Sequence, residues 1–166
     1  MRTFQIGKLG LWGLVFTLTA CAGGMSRQAR SQVSFFGSFE QLQQAPQQYR
    51  GEVVMLGGRI IETQVKQGVT EIVLLQLELN RSDRPQENGQ SGGRFIVRSQ
   101  TFLDPALYPT GTPVTVVGRL TGEVTRPIGE MPYQYPVIEP IEIKKWPPEG
   151  YSSPRLHFGI GVGTHF

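Results

Sequence analysis

The chain has 166 residues and a formal net charge of +3, but this charge is unevenly distributed. Arg2 and Lys8 precede an apolar run, and the other 14 of the 16 basic residues nearly balance the 13 acidic ones. A near-neutral domain has no net charge to attract nucleic acid, so we predict no nucleic-acid partner. The chain has a single cysteine, which excludes an intramolecular disulfide.

Residues 1–20 have the three parts of a bacterial export signal. A basic start is followed by an apolar run from Leu9 to Phe16, and small residues then lead to Cys21. The alternative is a transmembrane anchor. The stretch from Leu9 to Ala20 is too short for one, since as a helix it spans ~18 Å against a hydrocarbon core of ~30 Å. We therefore predict a signal that is cleaved before Cys21.

Leu18-Thr19-Ala20-Cys21 is typical of the site at which bacterial lipoproteins are cut and lipidated. The cysteine thiol accepts a diacylglycerol, and the peptidase must accommodate Ala20 immediately before it. Lipidation also removes a free thiol from an oxidising compartment. The sequence thus predicts lipid on Cys21 and attachment to a membrane through that lipid.

The chain after the predicted cut divides into three segments. Residues 21–32 are small and polar without periodicity, which predicts a lipidated N-terminus and flexible tether. Residues 33–149 are expected to form one domain, since the mature length suits one core and not two. Residues 150–166 form a tail in which Phe158, Ile160 and Val162 alternate with glycines, and this tail fits either an added edge strand or a frayed terminus.

Two short helices are predicted in the domain. The first covers residues 38–49, where Ser38 and Gln41 fit a capping box and Pro46 ends or kinks the helix. The second begins at Asp104-Pro105, because aspartate is a good N-cap and proline at the first helical position loses no hydrogen bond.

Five β-branched or alternating segments predict strands, at residues 52–63, 69–80, 93–101, 112–124 and 135–145. Gly57-Gly58 in the first strand, and Gly118 with Gly122 in the fourth, predict bulges or bends. Pro140 indicates an edge or a break in the fifth. Three strands, a short helix and two strands is the order of a small OB-like five-stranded barrel, a mainly β fold. Lipocalin-like barrels and sandwiches need more strands than are available.

Several polar and aromatic residues are candidates for a ligand site at the barrel face. Arg94, Arg119 and Glu130 are expected near the barrel mouth, either as ion pairs or as ligand contacts. Tyr133 and Tyr135 lie on one side of an extended segment. They would either stack on a sugar or base, as in other OB barrels, or serve as amphipathic packing.

Motifs for catalysis and cofactors do not occur in the sequence. His157 and His165 are eight residues apart in the tail and do not form a zinc pair. There is no Gly-x-Ser-x-Gly elbow and no phosphate loop, and the tail glycines are not followed by a helix. We therefore predict neither an enzyme nor a bound metal or cofactor.

A set of short motifs is spread over the residues from about Phe39 to Pro148. The motifs are Gly57-Gly58, Arg84-Pro85, Gly93-Arg94-Phe95, Phe102-Leu103-Asp104-Pro105 with Tyr108 and Gly111, Val114-Thr115-Val116 with Gly118, Ile128-Gly129-Glu130, Tyr135-Pro136-Val137-Ile138 and Trp146-Pro147. Through them the chain resembles the Slp family of outer-membrane lipoproteins. This resemblance implies a location and an architecture, without a reaction. Ala22 after the cysteine lacks the aspartate that favours inner-membrane retention, so the periplasm-facing leaflet of the outer membrane is the expected location.

Two functions remain open at this point. One is a structural or interaction lipoprotein of the cell envelope, which acts on a protein partner or on envelope integrity. The other is a binding module for an envelope ligand, such as a glycan or a small molecule. A groove lined by Tyr133, Tyr135 and Arg94 would favour the second, and a flat apolar patch would favour the first.

Overall fold

The structure is a computed structural model that describes residues 23–148. The predicted signal, Cys21 and the tail at 150–166 lie outside these residues. The described part contains helices α1 and α2, two 3₁₀ turns and five strands: α1 Arg27–Arg30, α2 Phe39–Gln44, the turns Pro46–Tyr49 and Pro105–Leu107, β1 Val53–Lys66, β2 Val69–Leu77, β3 Arg94–Ser99, β4 Pro113–Ile128 and β5 Met131–Lys145. Over residues 23–148, none of the helices has the length and apolarity needed to cross a membrane.

The five strands close into a barrel in the order β1-β2-β3-β5-β4. All neighbouring strands are antiparallel except β3 and β5, which pair in parallel through Ile96 with Val137 and Val97 with Ile138. This is the Greek-key arrangement of an OB-like barrel, with one short helical turn between β3 and β4. The predicted fold is confirmed.

The interior of the barrel is filled by alternate residues of each strand, as the period of two requires. Phe95 and Val97 of β3 and Leu74 of β2 are fully buried in the main core. Helix α2 adds Phe39 and Leu42 to this core, and the rings of Phe39 and Phe95 lie 5.9 Å apart. Helix α2 therefore closes one end of the barrel.

The predicted first helix is split in the structure. Its capping box is confirmed, with Ser38 N–H donating to Gln41 Oε1 at 3.0 Å and Gln41 N–H donating to Ser38 Oγ at 3.3 Å. Helix α2 ends at Gln44, and the chain continues as a 3₁₀ turn that begins at Pro46. The break follows from proline, which has no N–H to continue the helical ladder.

The connection between β3 and β4 closes the other end of the barrel. Its single 3₁₀ turn is capped by Asp104, whose Oδ1 accepts from Ala106 N–H at 2.9 Å. Leu103 and Tyr108 pack against the main core, and Leu103 N–H donates to Thr70 Oγ1 at 3.0 Å. The short helix predicted at Asp104-Pro105 is therefore present and occupies the place expected in this fold.

The predicted bends are only partly at the predicted glycines. The register of β1 against β2 shifts between Ile60 and Glu62, and not at Gly57-Gly58. Gly57 serves close packing instead, because a Cβ there would lie 2.6 Å from the Leu77 carbonyl oxygen. In β4 the register against β5 shifts beside Gly118 and Gly122, as predicted.

Strands β4 and β5 extend well beyond their predicted limits. Their outer halves, residues 122–137, form what we call the hairpin arm, which crosses the outer face of β2 and β3. The arm is held by a second apolar cluster, in which Ile96 of β3 packs with Tyr135 and Val137 of the arm. Residues 125–128 and 131–134, which lie outside the predicted strand limits, are therefore strand, and the arm that they lengthen creates a covered face on the barrel.

Part of the segment predicted as a flexible tether contacts the barrel. Residues 23–33, which we call the N-terminal strap, run along the outside of β1 and β4. Met25 and Ala29 are buried against Val53 and Val117. The two side chains pack on an apolar surface that exists only once β1 and β4 are paired.

Candidate functional site

A groove of about 340 Å³ lies on the outer wall of the barrel, between the β1–β2 hairpin and the hairpin arm. This is the face that OB barrels use for oligonucleotides and oligosaccharides. The lining residues come from β1, from β2 and β3, and from the arm: Ile61, Glu62, Gln64 and Lys66; Val73, Arg94 and Ile96; Arg126, Pro127, Ile128, Gly129 and Tyr135.

Two of the predicted site residues, Arg94 and Tyr135, line this groove. Tyr135 is only 5% exposed, and its ring meets the edge of Tyr133 with centroids 4.8 Å apart. The Tyr133 hydroxyl accepts hydrogen bonds from Arg94 N–H at 2.6 Å and from the Gln43 side-chain amide. Both rings are thus engaged within the protein, which favours packing over stacking on a ligand.

The other two candidates take different positions. Glu130 is exposed in the turn between β4 and β5, next to Gly129 of the groove wall. Arg119 does not line the groove. Its guanidinium donates to the Gly51 carbonyl at 2.6 Å, near the start of β1. Arg119 therefore lies apart from the groove that Arg94 lines.

A charged cluster beside the groove was not predicted from the sequence. Glu71 on β2 is buried and accepts from Arg98 Nε at 2.9 Å and from Arg126 of the arm at 2.7 Å. Burial alone would raise the pKa of the Glu71 carboxyl, but hydrogen bonds and positive charge from Arg126 and Arg98 together lower that pKa. Glu71 therefore fastens the arm to β2 and β3 as a carboxylate.

The open part of the groove carries charged and polar groups. Lys66, Glu62 and Arg94 offer charges and hydrogen bonds along its rim. Residues 23–148 contain no histidine and no cysteine. The same residues hold no group of three or more side chains able to ligate a metal ion. What the groove provides is a polar, partly charged recognition surface.

The N-terminal strap is a second candidate site, because it lies two residues from Cys21. Asp83 of the β2–β3 connection holds it: its Oδ2 accepts from Met25 N–H at 2.9 Å and pairs with Arg30. Farther along, Ser26 N–H donates to Glu142 at 3.0 Å, and Lys144 donates to the Gly24 carbonyl. The strap is therefore bound to the barrel through its backbone as well as its side chains.

Asp83 is itself placed by the fold. It is buried with a positive φ of 61°, and its carbonyl accepts from Thr115 Oγ1, which in turn accepts from Trp146 Nε1 at 2.9 Å. The run Asn80-Arg81-Ser82-Asp83 reads as an ordinary polar turn. Nothing in the composition of this turn indicates that Asp83 binds the N-terminal segment.

Residues 18–160 match the family described as "Outer membrane lipoprotein Slp family". This covers most of the chain, so the chain belongs to the Slp family. Its association with a membrane and its location at the outer membrane follow from that membership.

The relatives agree with this assignment. The chain is 36% identical over 102 residues to the "Uncharacterized lipoprotein YeaY" of Escherichia coli strain K12. That alignment covers 61% of this chain and 52% of YeaY, so the chain spans about half the length of that relative. It is also 27% identical over 134 residues to the "Outer membrane protein Slp" of the same organism, covering 80% of this chain and 71% of that protein.

A structural comparison gives a more distant match. The crystal structure of a small single-stranded DNA-binding protein from Streptomyces coelicolor aligns with 57% of this chain and 94% of that one. The TM-score is 0.38 at 16% sequence identity. A likeness at this level says nothing about a shared ligand.

Proposed function

We propose that this chain is anchored by lipid on Cys21 in the periplasm-facing leaflet of the outer membrane and has a structural or interaction role in the cell envelope. The family and the Leu18-Thr19-Ala20-Cys21 motif support the anchor. Two or more acyl chains make such attachment stable, because each buried methylene contributes ~0.8 kcal/mol. The proposal assigns no catalysis to the protein.

The observation that carries the proposal is the N-terminal strap. From Cys21 to Gly24, whose carbonyl is held by Lys144, the chain reaches at most about 11 Å. A free tether over 21–32 would reach about 40 Å. The strap therefore keeps the barrel next to its lipid, which suits a protein that works at the membrane surface.

The anchor and its leaflet are tested by two measurements on the native protein. Mass spectrometry of the mature chain should show an acylated N-terminal peptide that begins at Cys21. Density fractionation should place the native protein with outer-membrane markers and Ala22→Asp with inner-membrane markers. An unmodified Cys21 within an intact N-terminal peptide would refute the anchor, and an Ala22→Asp variant that stays in the outer membrane would refute the sorting argument alone.

An interaction role fits the groove better than a stacking site does. Tyr133 and Tyr135 are engaged inside the arm, while Glu62 and Lys66 offer polar groups at the rim. A photo-crosslinking residue at Glu62 or Lys66 should capture a discrete envelope protein in whole cells. The same residue at exposed Gln47, beside α2, is the matched control and should not. Equal capture at both places would contradict a specific partner at the groove.

The second candidate, an envelope ligand-binding module, is favoured by Arg94 in the groove wall. An anionic glycan fragment would then contact Arg94 and Lys66 without needing the aromatic rings. Titration with such fragments, followed by NMR, should shift resonances of groove residues in the native domain and not in Arg94→Met. Shifts that persist in Arg94→Met, or that spread over the whole surface, would exclude this candidate.

A further inference from the structure

We propose that the barrel end closed by the β3–β4 connection rests on the membrane, with Phe102, Leu107 and Ile141 entering the interface of the bilayer. This inference rests on the proposed lipid attachment at Cys21. It adds an orientation and a contact surface, with the phospholipid bilayer that holds the lipid as the partner.

Three exposed apolar side chains lie on this part of the barrel, and we call them the patch. Phe102, Leu107 and Ile141 are 62%, 59% and 42% exposed. Ile141 lines a shallow depression of about 200 Å³, and Phe102 and Leu107 are each next in sequence to a residue that lines it, Leu103 and Tyr108. Leu103 and Ile143 form part of its floor. Scattered exposed apolar residues are ordinary, but a contiguous set marks a surface that meets a protein or a membrane.

The strap that leads to the lipid begins at the edge of this patch. Glu142 lines the depression next to Ile141 and also accepts hydrogen bonds from the backbone N–H and the hydroxyl of Ser26. Two residues before Ser26, the Gly24 carbonyl is held by Lys144. Because Cys21 lies within about 11 Å of Gly24, acyl chains on it enter the bilayer close to the patch.

Basic and amphipathic side chains border the patch as they do at membrane interfaces. Lys145 is exposed, and its Nζ donates to the Leu107 carbonyl at 2.9 Å and lies 4.8 Å from the Tyr108 ring. Arg27 of the strap is also exposed. Lysine and arginine keep their charge at headgroup level while their stems cover apolar surface, and tyrosine favours the same depth.

The opposite end of the barrel provides a contrast. Met131 is 71% exposed at the tip of the hairpin arm, where it is the large apolar residue of the turn. Strand β4 begins at Pro113, beside the β3–β4 connection. It runs for 16 residues to Ile128, just before the tip of the arm. Exposed Met131 therefore lies far from both the strap and the patch, and serves as a matched position that should stay in water.

The test uses the full lipidated chain in vesicles of phosphatidylethanolamine with phosphatidylglycerol. Phe102→Cys, Leu107→Cys, Ile141→Cys and Met131→Cys each introduce one free thiol for an environment-sensitive fluorophore, since lipidation blocks Cys21. Lipids bearing a spin-label quencher should reduce the emission at the three patch positions at least twofold. At Met131→Cys they should leave it unchanged, while iodide in the aqueous phase quenches it.

Several outcomes would overturn the proposal. In one outcome the protein floats with the vesicles, but the patch labels are quenched by iodide and not by the lipid quencher. That result would support the lipid anchor and refute the proposed orientation. Patch labels shielded from both quenchers would show that protein covers the patch, for example residues 150–166. Protein that does not float would refute the lipid anchor, and this inference with it. Adding Phe102→Ser and Leu107→Ser should abolish lipid quenching at Ile141→Cys; quenching that persists would contradict insertion of the patch.

Discussion

The barrel carries two pieces of chain on opposite parts of its outer wall, and they are held by similar means. The N-terminal strap buries Met25 and Ala29 on β1 and β4, and the hairpin arm buries Tyr135 and Val137 on β3. Each is also fastened by one buried carboxylate with arginine partners. Asp83 pairs with Arg30 in the strap, and Glu71 pairs with Arg98 and with Arg126 in the arm.

The difference lies in the backbone. The arm continues the β4–β5 ladder from Gly122 to Met131, so it cannot leave the wall without breaking strands of the barrel. The strap is covalently continuous with the barrel only at its C-terminal end. Its helix α1 has only four residues. Local units with few buried contacts open at lower free energy than the global fold. The strap is therefore expected to open at a lower free energy than the arm, which belongs to the barrel.

The largest expected effect separates Ile96, a core residue beneath the arm, from Met25, a buried residue of the strap. Ile96→Ala should lower the free energy of unfolding by about 2–4 kcal/mol, because Ile96 is fully buried under the arm. Met25→Ala should cost less, about 1–2 kcal/mol, since the loss cannot exceed the free energy with which the strap docks. Chemical denaturation of the non-lipidated chain measures both. Only Met25→Ala should speed tryptic cleavage after Arg27 and Arg30, and an equal loss for both variants would contradict the comparison.

A smaller effect is expected at the carboxylate of the arm. Glu71→Gln should cost about 1–2 kcal/mol near pH 7, because it leaves two arginines without their buried anion, although both are partly exposed to water. The pKa of Glu71 lies below its ordinary value of 4.5, so its contribution is complete above that value. The contribution is lost as the pH falls through the lowered folded-state pKa.

The stabilities of the native chain and of Glu71→Gln should therefore converge in acid, once the pH is below the lowered pKa of Glu71. The matched control is Glu62→Gln, at an exposed position of β1, which should follow the native chain throughout. A Glu71→Gln deficit that stays constant between neutral and acidic pH would show that packing, and not the charge, holds the arm.

The smallest effect concerns two glycines with positive φ. Gly24 in the strap has φ +86°, and a Cβ there would lie 2.8 Å from Asp83 Oδ2 and would also meet Arg30; Gly111 has φ +90° with open space around it. Each change to alanine should cost about 1 kcal/mol or less from its backbone conformation. Gly24→Ala should also release the strap, seen as faster cleavage after Arg30. If Gly24→Ala and Gly111→Ala were cleaved after Arg30 at the same rate, the role assigned to Asp83 in holding the strap would be wrong.

Much of the barrel is predictable because the information is local. Period-two alternation places Phe95 and Val97 inside, and Asp104-Pro105 starts a helical turn without help from other residues. The capping box of Ser38 and Gln41 is likewise set within four residues. Strand order follows from these elements, since few topologies join three strands, a helix and two strands in a closed sheet.

The groove was less predictable for a physical reason. Arg94 and Tyr135 come together only because β5 returns beside β3 and the arm then folds across the wall. Arg119 instead donates to the Gly51 carbonyl, and these two residues are 68 apart in sequence. Glu71, Arg98 and Arg126 are distant in sequence, so no spacing marks them as one cluster.

The sequence by itself predicts an export signal and a lipidation motif at Cys21, and it determined that a small mainly β domain follows, because each of these depends on residue type and short-range pattern. Only the tertiary structure decided where residues 23–33 go. Their small apolar side chains have no partner in the linear chain, and read there as a solvated tether. Once β1 and β4 pair, Val53 and Val117 form a wall that buries Met25 and Ala29, and Asp83 arrives from the β2–β3 connection to bind the Met25 amide. Burial needs a surface as well as a side chain, and that surface exists only in the folded barrel.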